Sequence, residues 1–259
     1  MQRVLIIAGS DSSGGAGIQA DIKAVTCLGG YAMTAITALT VQNTLGVSDV
    51  MAVPPALITA QAKACLDDIG ADAIKTGMLA DIAVMEAVSL VIEGAKVFTV
   101  IDPVMVAKGG HALMNHHAVD AMKALMLPLA DLLTPNAPEA AALTGLKVET
   151  EDGMRKAGEA LLAMGAKNVL IKGGHIDTPD VVDLLITRQG EHRFTSERID
   201  TRHTHGTGCT LASACAALTR DARPLEETVG LARDYVGGAI LMAPGLGQGH
   251  GPLRHNWLL

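Results

Sequence analysis

Short apolar runs alternate with helix-patterned stretches along the whole chain, and each run stops at a glycine or a polar side chain. Residues 4–8 (Val-Leu-Ile-Ile-Ala) are apolar throughout, as expected of a strand buried on both faces. Residues 18–28 follow with Ala20, Ala24 and Leu28 on one i, i+4 stripe, which predicts a helix. The alternation then continues with a strand at 33–41, a helix opened by Pro54-Pro55 and running to Ile69, a strand at 73–76 and a helix at 82–93. A strand at 97–101, a helix at 116–127, a strand at 132–134, helices from 135 and over 151–164, and a strand at 169–171 complete the series. Residues 181–187 and 192–197 flank Arg188-Gln189-Gly190-Glu191 as a hairpin, read as the one antiparallel signal, and helices from Cys209 and Leu225 close the chain. Parallel neighbours need a crossover between them, so this order predicts an α/β fold with a mostly parallel central sheet and helices on both faces. No linker or charge block interrupts it, and residues 1–259 are read as one domain.

Composition narrows the partners. A net charge of −7 with no Lys/Arg cluster argues against nucleic acid or an anionic membrane. One Trp, two Tyr and two Phe leave no stacking platform for bases. No apolar run reaches the roughly 18 residues of a membrane span, and the N-terminus lacks a basic signal-peptide region, so a cytoplasmic protein is expected. Cys27, Cys65, Cys209 and Cys215 show no C-x-x-C spacing, which indicates neither a disulfide framework nor a zinc knuckle. The nine histidines form no closed ligand set and are read as surface or loop residues.

In sheets of this kind ligands bind beyond the carboxyl ends of the strands. Glycine-rich or polar segments fall there at 9–17, 42–43, 77–78, 102–103, 135–139, 172–175 and 205–209. Turns account for the glycines; they account less readily for Asp, Asn, Glu and Lys at the same ends. Gly15-Ala16-Gly17-Ile18-Gln19-Ala20 fits the dinucleotide pattern G-x-G-x-x-G/A, but its loop is long and the second strand ends in Gln42 rather than an acid, which argues against NAD. No G-x-x-x-x-G-K-[ST] occurs.

His205-Gly206-Thr207-Gly208-Cys209-Thr210 leads into an apolar helix. It is either an ordinary glycine turn or an anion site, where free N–H groups and the helix dipole meet a backbone without Cβ atoms. On the second reading Cys209 should have a lowered pKa and be enriched in thiolate. Asn136-Ala137-Pro138-Glu139 sets an amide and a carboxylate at a helix start, where Glu139 either complements the dipole or helps hold Mg²⁺.

Thr134-Pro135-Asn136-x-x-Glu139, Lys172-Gly173-Gly174-His175 and Thr204 to Cys209 resemble the ribokinase superfamily. The block from Ala8 to Asp21, with Gln42-Asn43-Thr44, Lys75-x-Gly77-Met78-Leu79 and Asp102-Pro103-Val104-Met105, is similar to the hydroxymethylpyrimidine/phosphomethylpyrimidine kinases of thiamine biosynthesis. The resemblance implies a ribokinase-like three-layer α/β/α fold and an ATP-dependent, Mg²⁺-requiring kinase. Such an enzyme phosphorylates 4-amino-5-hydroxymethyl-2-methylpyrimidine and then its monophosphate. On this resemblance Cys209 is the proton acceptor and Gly206, Thr207 and Gly208 form the anion hole. Lys172 and Asn136, with Thr207 and Gly208, meet ATP. Glu139 and Asp102 serve the metal, and Gly9, Ala16, Asp21, Gln42, Met78 and Val104 line the pyrimidine pocket. A homodimer is expected. Pyridoxal or pyridoxine kinases of the same superfamily share several of these motifs, and a non-catalytic pyrimidine sensor on the same fold is the alternative from another class.

Overall fold

The computed structural model describes residues 1–79, 81–105, 116–219 and 223–259. The first half comprises strand β1 (Arg3–Asp11), helix α1 (Gly17–Cys27), strands β2 (Tyr31–Asn43) and β3 (Gly46–Ala52), helix α2 (Pro55–Asp68), strand β4 (Ala73–Thr76), helix α3 (Ile82–Ala95) and strand β5 (Phe98–Ile101). Then come α4 (His116–Ala121), β6 (Leu132–Leu133), α5 (Ala137–Thr144), α6 (Glu151–Ala163), β7 (Asn168–Lys172), β8 (Asp180–Thr187), β9 (Gly190–Glu197), α7 (Thr207–Leu218) and α8 (Leu225–Leu241).

The strands form one sheet in the order β3-β2-β1-β4-β5-β6-β7-β8-β9. From β2 to β7 every pairing is parallel. β1 explains the opening apolar run: Leu5 and Ile7 pack with Ile58, Ala62 and Val84 of α2 and α3, while Val4 and Ile6 pack with Val25, Ala214 and Val229 of α1, α7 and α8. Successive side chains point to opposite faces, so a strand covered on both sides has no polar position. The result is the expected three-layer α/β/α arrangement on a ribokinase-like plan.

Two details correct the sequence reading. The sheet has antiparallel pairings at both edges, not one hairpin: β2 pairs β3, and β7 also pairs β8 antiparallel. β3 was not anticipated because its side chains are half-buried or exposed throughout, so burial imposes no apolar pattern on it. The helix expected over 116–127 keeps α-geometry only to Ala121; it passes into a π turn at Met122–Met126 and a 3₁₀ turn at Leu127–Leu129, where Pro128 has no N–H to continue an α-ladder.

Candidate active site

The carboxyl ends of β1, β2, β4, β5 and β7 open into a cavity of about 1470 Å³. Gly9, Ala16, Gln42, Met78 and Val104 form part of its wall, and Asp102, Asn136, Glu139, Lys172 and Gly206 to Cys209 another. Of the site residues singled out in the sequence, Asp21 alone does not line it.

Gly206 makes the turn into α7 with φ +83°, and a Cβ there would lie 1.8 Å from the Gly15 carbonyl oxygen. Both the backbone angle and the close approach of the β1–α1 loop therefore require glycine. No side chain caps α7; the Thr207 N–H makes a long 3.4 Å bond to the Thr204 carbonyl oxygen, and the N–H groups of the next residues remain for an anion in the cavity.

Asp21 corrects the expected pyrimidine contact. Its carboxylate is wholly buried, takes two hydrogen bonds from Lys75 Nζ at 2.8 and 2.9 Å and one from Ser213 Oγ at 2.7 Å. Lys75 lines the cavity instead, with Nζ 3.2 Å from where a Gly77 Cβ would be. Burial opposes its charge, but Asp21 with the Cys209 and Asp102 charges outweighs this and raises its pKa. The sequence showed Lys75 only as part of the Lys75-x-Gly77 motif; a lysine inside an apolar strand was itself the signal, since such a group is rarely buried unless paired.

Cys209 lies at the cavity but not as a resting thiolate. Burial pushes its thiol up to about 11, and Lys75 lowers it too little to compensate. Desolvation has overridden the helix N-terminus, which corrects the lowered pKa expected from the sequence.

Asn136 and Glu139 make a reciprocal capping box: Asn136 Oδ1 accepts from the Glu139 N–H and Glu139 Oε2 accepts from the Asn136 N–H, each at 2.8 Å. Glu139 thus does structural work at the helix start, yet it also faces Lys172, whose Nζ lies 4.0 Å from Oε2 and 2.9 Å from Asp102 Oδ1. Two buried carboxylates share one ammonium. Burial accordingly raises Glu139 to about 7, with Lys172 opposing and Asp102 adding to the rise. A second cation would be welcome here, and this donor set fits Mg²⁺, which leans on one or two carboxylates with phosphate oxygens completing its shell. Among the described residues no cluster of three or more His, Cys, Asp or Glu side chains could hold a metal unaided.

The sequence reading puts the histidines on the surface or in loops; His205 does lie in the loop before α7, but it is not a surface group. It is 3% exposed, and its Nε2 lies 2.7 Å from Asp11 Oδ2. Burial pushes the Asp11 carboxyl up, but His205, Ser13 and the Ala16 N–H together hold it at about 2. His255 is likewise buried, with Nε2 2.9 Å from Thr210 Oγ1, and burial lowers its pKa to about 4.

Further wall comes from β8, β9 and α8, including Asp183, Ser196 and Arg233, and from Arg198 just after β9. Asp183 accepts from the Gly173 N–H at 2.8 Å and from Arg233 Nε at 2.7 Å, and Arg233 lies over the Phe194 ring at 5.4 Å. These residues are scattered in sequence and form no motif.

A doubly wound sheet whose strand ends gather the glycine turn into α7 with Lys75, Lys172, Asp102 and Glu139 around one cavity defines a phosphotransferase of the ribokinase class. The family model for phosphomethylpyrimidine kinase matches residues 11–254. A thiamine biosynthesis bifunctional protein of Geobacter sulfurreducens is 49% identical over 97% of this chain, which spans only 52% of that longer protein. A hydroxymethylpyrimidine/phosphomethylpyrimidine kinase of Streptomyces coelicolor is 45% identical, with 99% of this chain and 95% of that protein aligned. Among solved structures, an ADP complex of Bacillus subtilis pyridoxal kinase superposes with a TM-score of 0.92 at 37% identity, covering 100% of this chain and 98% of that one. The chain belongs to the phosphomethylpyrimidine kinase family.

Proposed function

We propose that residues 1–259 act as one domain that transfers the γ-phosphoryl of ATP to 4-amino-5-hydroxymethyl-2-methylpyrimidine, and then to the monophosphate so formed, in thiamine biosynthesis. One observation carries this reading. Gln42, able to donate and accept at an aminopyrimidine edge, shares its cavity with the apolar Met78 and Val104 and with the anion hole at Gly206 to Cys209. Gly9, Ala16, Gln42, Met78 and Val104 hold the pyrimidine, and Asp21 acts from behind them by fixing Lys75.

Phosphoryl transfer needs positioning and charge stabilisation above all. The N–H groups of Gly206, Thr207, Gly208 and Cys209 stabilise charge on the migrating group, as an oxyanion hole does. Lys172 and Asn136 stand by the ATP phosphates. Asp102 and Glu139 would hold Mg²⁺, which supplies charge neutralisation across the phosphates. The substrate hydroxyl oxygen bonds to phosphorus as the bond to the ADP oxygen breaks, and its proton passes to Cys209 in the thiolate form.

The similarity to a pyridoxal kinase, also a phosphotransferase on this plan, favours a second reading in which pyridoxal is the alcohol. Turnover measured in parallel with the pyrimidine alcohol, its monophosphate and pyridoxal distinguishes the two.

The assembly proposed is a homodimer. Leu39, Val41 and Met51 are 41%, 59% and 61% exposed on paired strands β2 and β3, and a contiguous exposed apolar patch marks an association surface. Val41→Lys should shift the sedimenting species towards a monomer, and an unchanged sedimentation coefficient would remove this face from the interface. Among the described residues no helix is long and apolar enough to cross a membrane, and the cytoplasm is the proposed compartment.

A further inference from the structure

The first turns of helices α1 and α7 face each other in register. Asp21 follows Gly17 by one turn of α1, and Ser213 follows Cys209 by one turn of α7, so each pair shares one helix face. At the deeper level the Ser213 hydroxyl donates to Asp21 Oδ1 at 2.7 Å. One turn nearer the cavity the Gly17 N–H faces the Cys209 sulfur. The lower contact therefore sets the register of the upper one.

The Gly17 N–H is free for that contact. It stands at the first position of α1, where the helix itself offers no acceptor, and no side chain caps that end. Gly17 has φ +55°, and a Cβ there would lie 2.4 Å from the Gly9 carbonyl oxygen, so the position requires glycine. The Gly15-Ala16-Gly17 segment, dinucleotide-like in pattern, thus opens a helix towards an anion that the protein supplies itself, the Cys209 thiolate.

Lys75 completes the seat from the sheet. It stands opposite Ile6 and Val100 on the neighbouring strands, and both pack under α1 and α7, so its side chain rises on that face. An ammonium has three protons. Asp21 takes hydrogen bonds from it at 2.8 and 2.9 Å, which leaves one N–H over. Lys75 and Cys209 line the same cavity. Of the charged groups around the sulfur, Lys75 and Lys172 favour a thiolate, and Asp21 and Asp102 oppose it.

We infer that Ser213, Asp21 and Lys75 are positioning residues for the proton acceptor: they hold α7 against α1 so that the Cys209 sulfur meets the Gly17 N–H with the Lys75 ammonium beside it. Lys75 keeps its proton throughout. Its charge balances the thiolate, which takes the substrate hydroxyl proton and becomes a thiol as the oxygen bonds to phosphorus. The inference rests on the kinase reading above and deepens it, since it gives a buried thiol the means to act as a base.

Gly17→Ala would strain the backbone, and Lys75→Met alone would leave the Asp21 charge uncompensated. The test is Lys75→Met combined with Asp21→Asn, which removes both charges and keeps an amide for Ser213. Ser213→Ala, which keeps both charges, is the second variant, and urea denaturation checks that each folds. The first readout is alkylation of Cys209 by iodoacetamide at fixed pH, followed by peptide mass, with Cys27 as the reference thiol. Alkylation of Cys209 should slow at least about threefold in both variants as the thiolate becomes scarcer, with Cys27 unchanged. The second is turnover: kcat should fall by a similar factor, with KM for ATP and for the pyrimidine alcohol within about twofold of wild type. In a Cys209→Asp background, whose acceptor is already ionised, removing the charge pair should leave kcat within about twofold. Unslowed alkylation in the folded variants, a raised KM without loss of kcat, or an equal loss of kcat in the Cys209→Asp background overturns the inference. A wild-type chain that phosphorylates neither pyrimidine overturns the functional reading, while the alkylation rates, which need no substrate, report the seat of the sulfur separately.

Discussion

Lys75 Nζ and Asp21 Oδ1 are 2.8 Å apart with both side chains wholly buried beneath the cavity. The pair joins the inner strand β4 to α1, and through Ser213 to α7, so a single carboxylate ties together three elements beside the cavity.

Removing one partner leaves the other charge buried and uncompensated. Asp21→Ala should therefore cost about 3–5 kcal/mol of unfolding free energy, read by urea denaturation, and lower activity with it. An unchanged midpoint with only a raised KM for substrate would be the behaviour of a direct ligand contact and would contradict the structural assignment.

That pair also shows what was legible in the sequence. The βα alternation is imposed by burial on both faces of the sheet, and the glycine and polar segments at its strand ends bring nearly every candidate residue to the cavity. Asp21 lay in the same resemblance block as Gly9 and Ala16, but a motif gives neighbourhood in sequence and not the direction of a side chain; one helical turn carries Asp21 behind the wall. The Cys209 thiol was misjudged because a sequence shows the helix start and not the depth of burial. His205 and Asp11 lie far apart in the chain, and only the fold brings them to 2.7 Å. The edge strand β3 left no periodic trace because solvent accepts many side chains there; β8, β9 and α8 are legible as elements, but the side chains they bring to the cavity form no motif.

Glu139 gives a pH prediction. Its carboxyl is raised from 4.5 to about 7 by burial, with Asp102 adding and Lys172 opposing. Between those values the folded chain holds a proton that the unfolded chain has lost, so this group's contribution is full below about 4.5 and is lost as pH rises through 7. Glu139→Gln should flatten that decline in unfolding free energy. Binding of Mg²⁺ with nucleotide near pH 7 should also expel a fraction of a proton, because a ligating carboxylate must be ionised. Calorimetry in two buffers of different ionisation enthalpy reads the proton. Enthalpies independent of buffer in the wild-type chain would confine Glu139 to its capping box.

Cys209 gives a second. With the thiol held near 11, the reactive thiolate is scarce at neutrality and its population grows tenfold per pH unit. If Cys209 accepts the hydroxyl proton, log kcat should climb with pH across the neutral and mildly alkaline range. Cys209→Ser should lower kcat by roughly 10²–10⁴, and Cys209→Asp, ionised throughout, should retain more activity and lose the slope. Cys215, buried in the same helix and pushed by burial to about 12, is the internal control. Superimposable pH profiles for the wild-type and Cys209→Asp proteins would remove Cys209 as the proton acceptor and leave the anion hole and lysines to carry the chemistry.

ADP release by the wild-type chain with Mg²⁺ and ATP, measured in parallel with 4-amino-5-hydroxymethyl-2-methylpyrimidine, with its monophosphate and with pyridoxal, decides which alcohol this kinase phosphorylates. Turnover is expected with both pyrimidines, with a higher kcat/KM for the pyrimidine alcohol than for pyridoxal and a selective loss of the pyrimidine reactions in Gln42→Ala. Turnover with pyridoxal alone, or with none of the three, would contradict the proposed function.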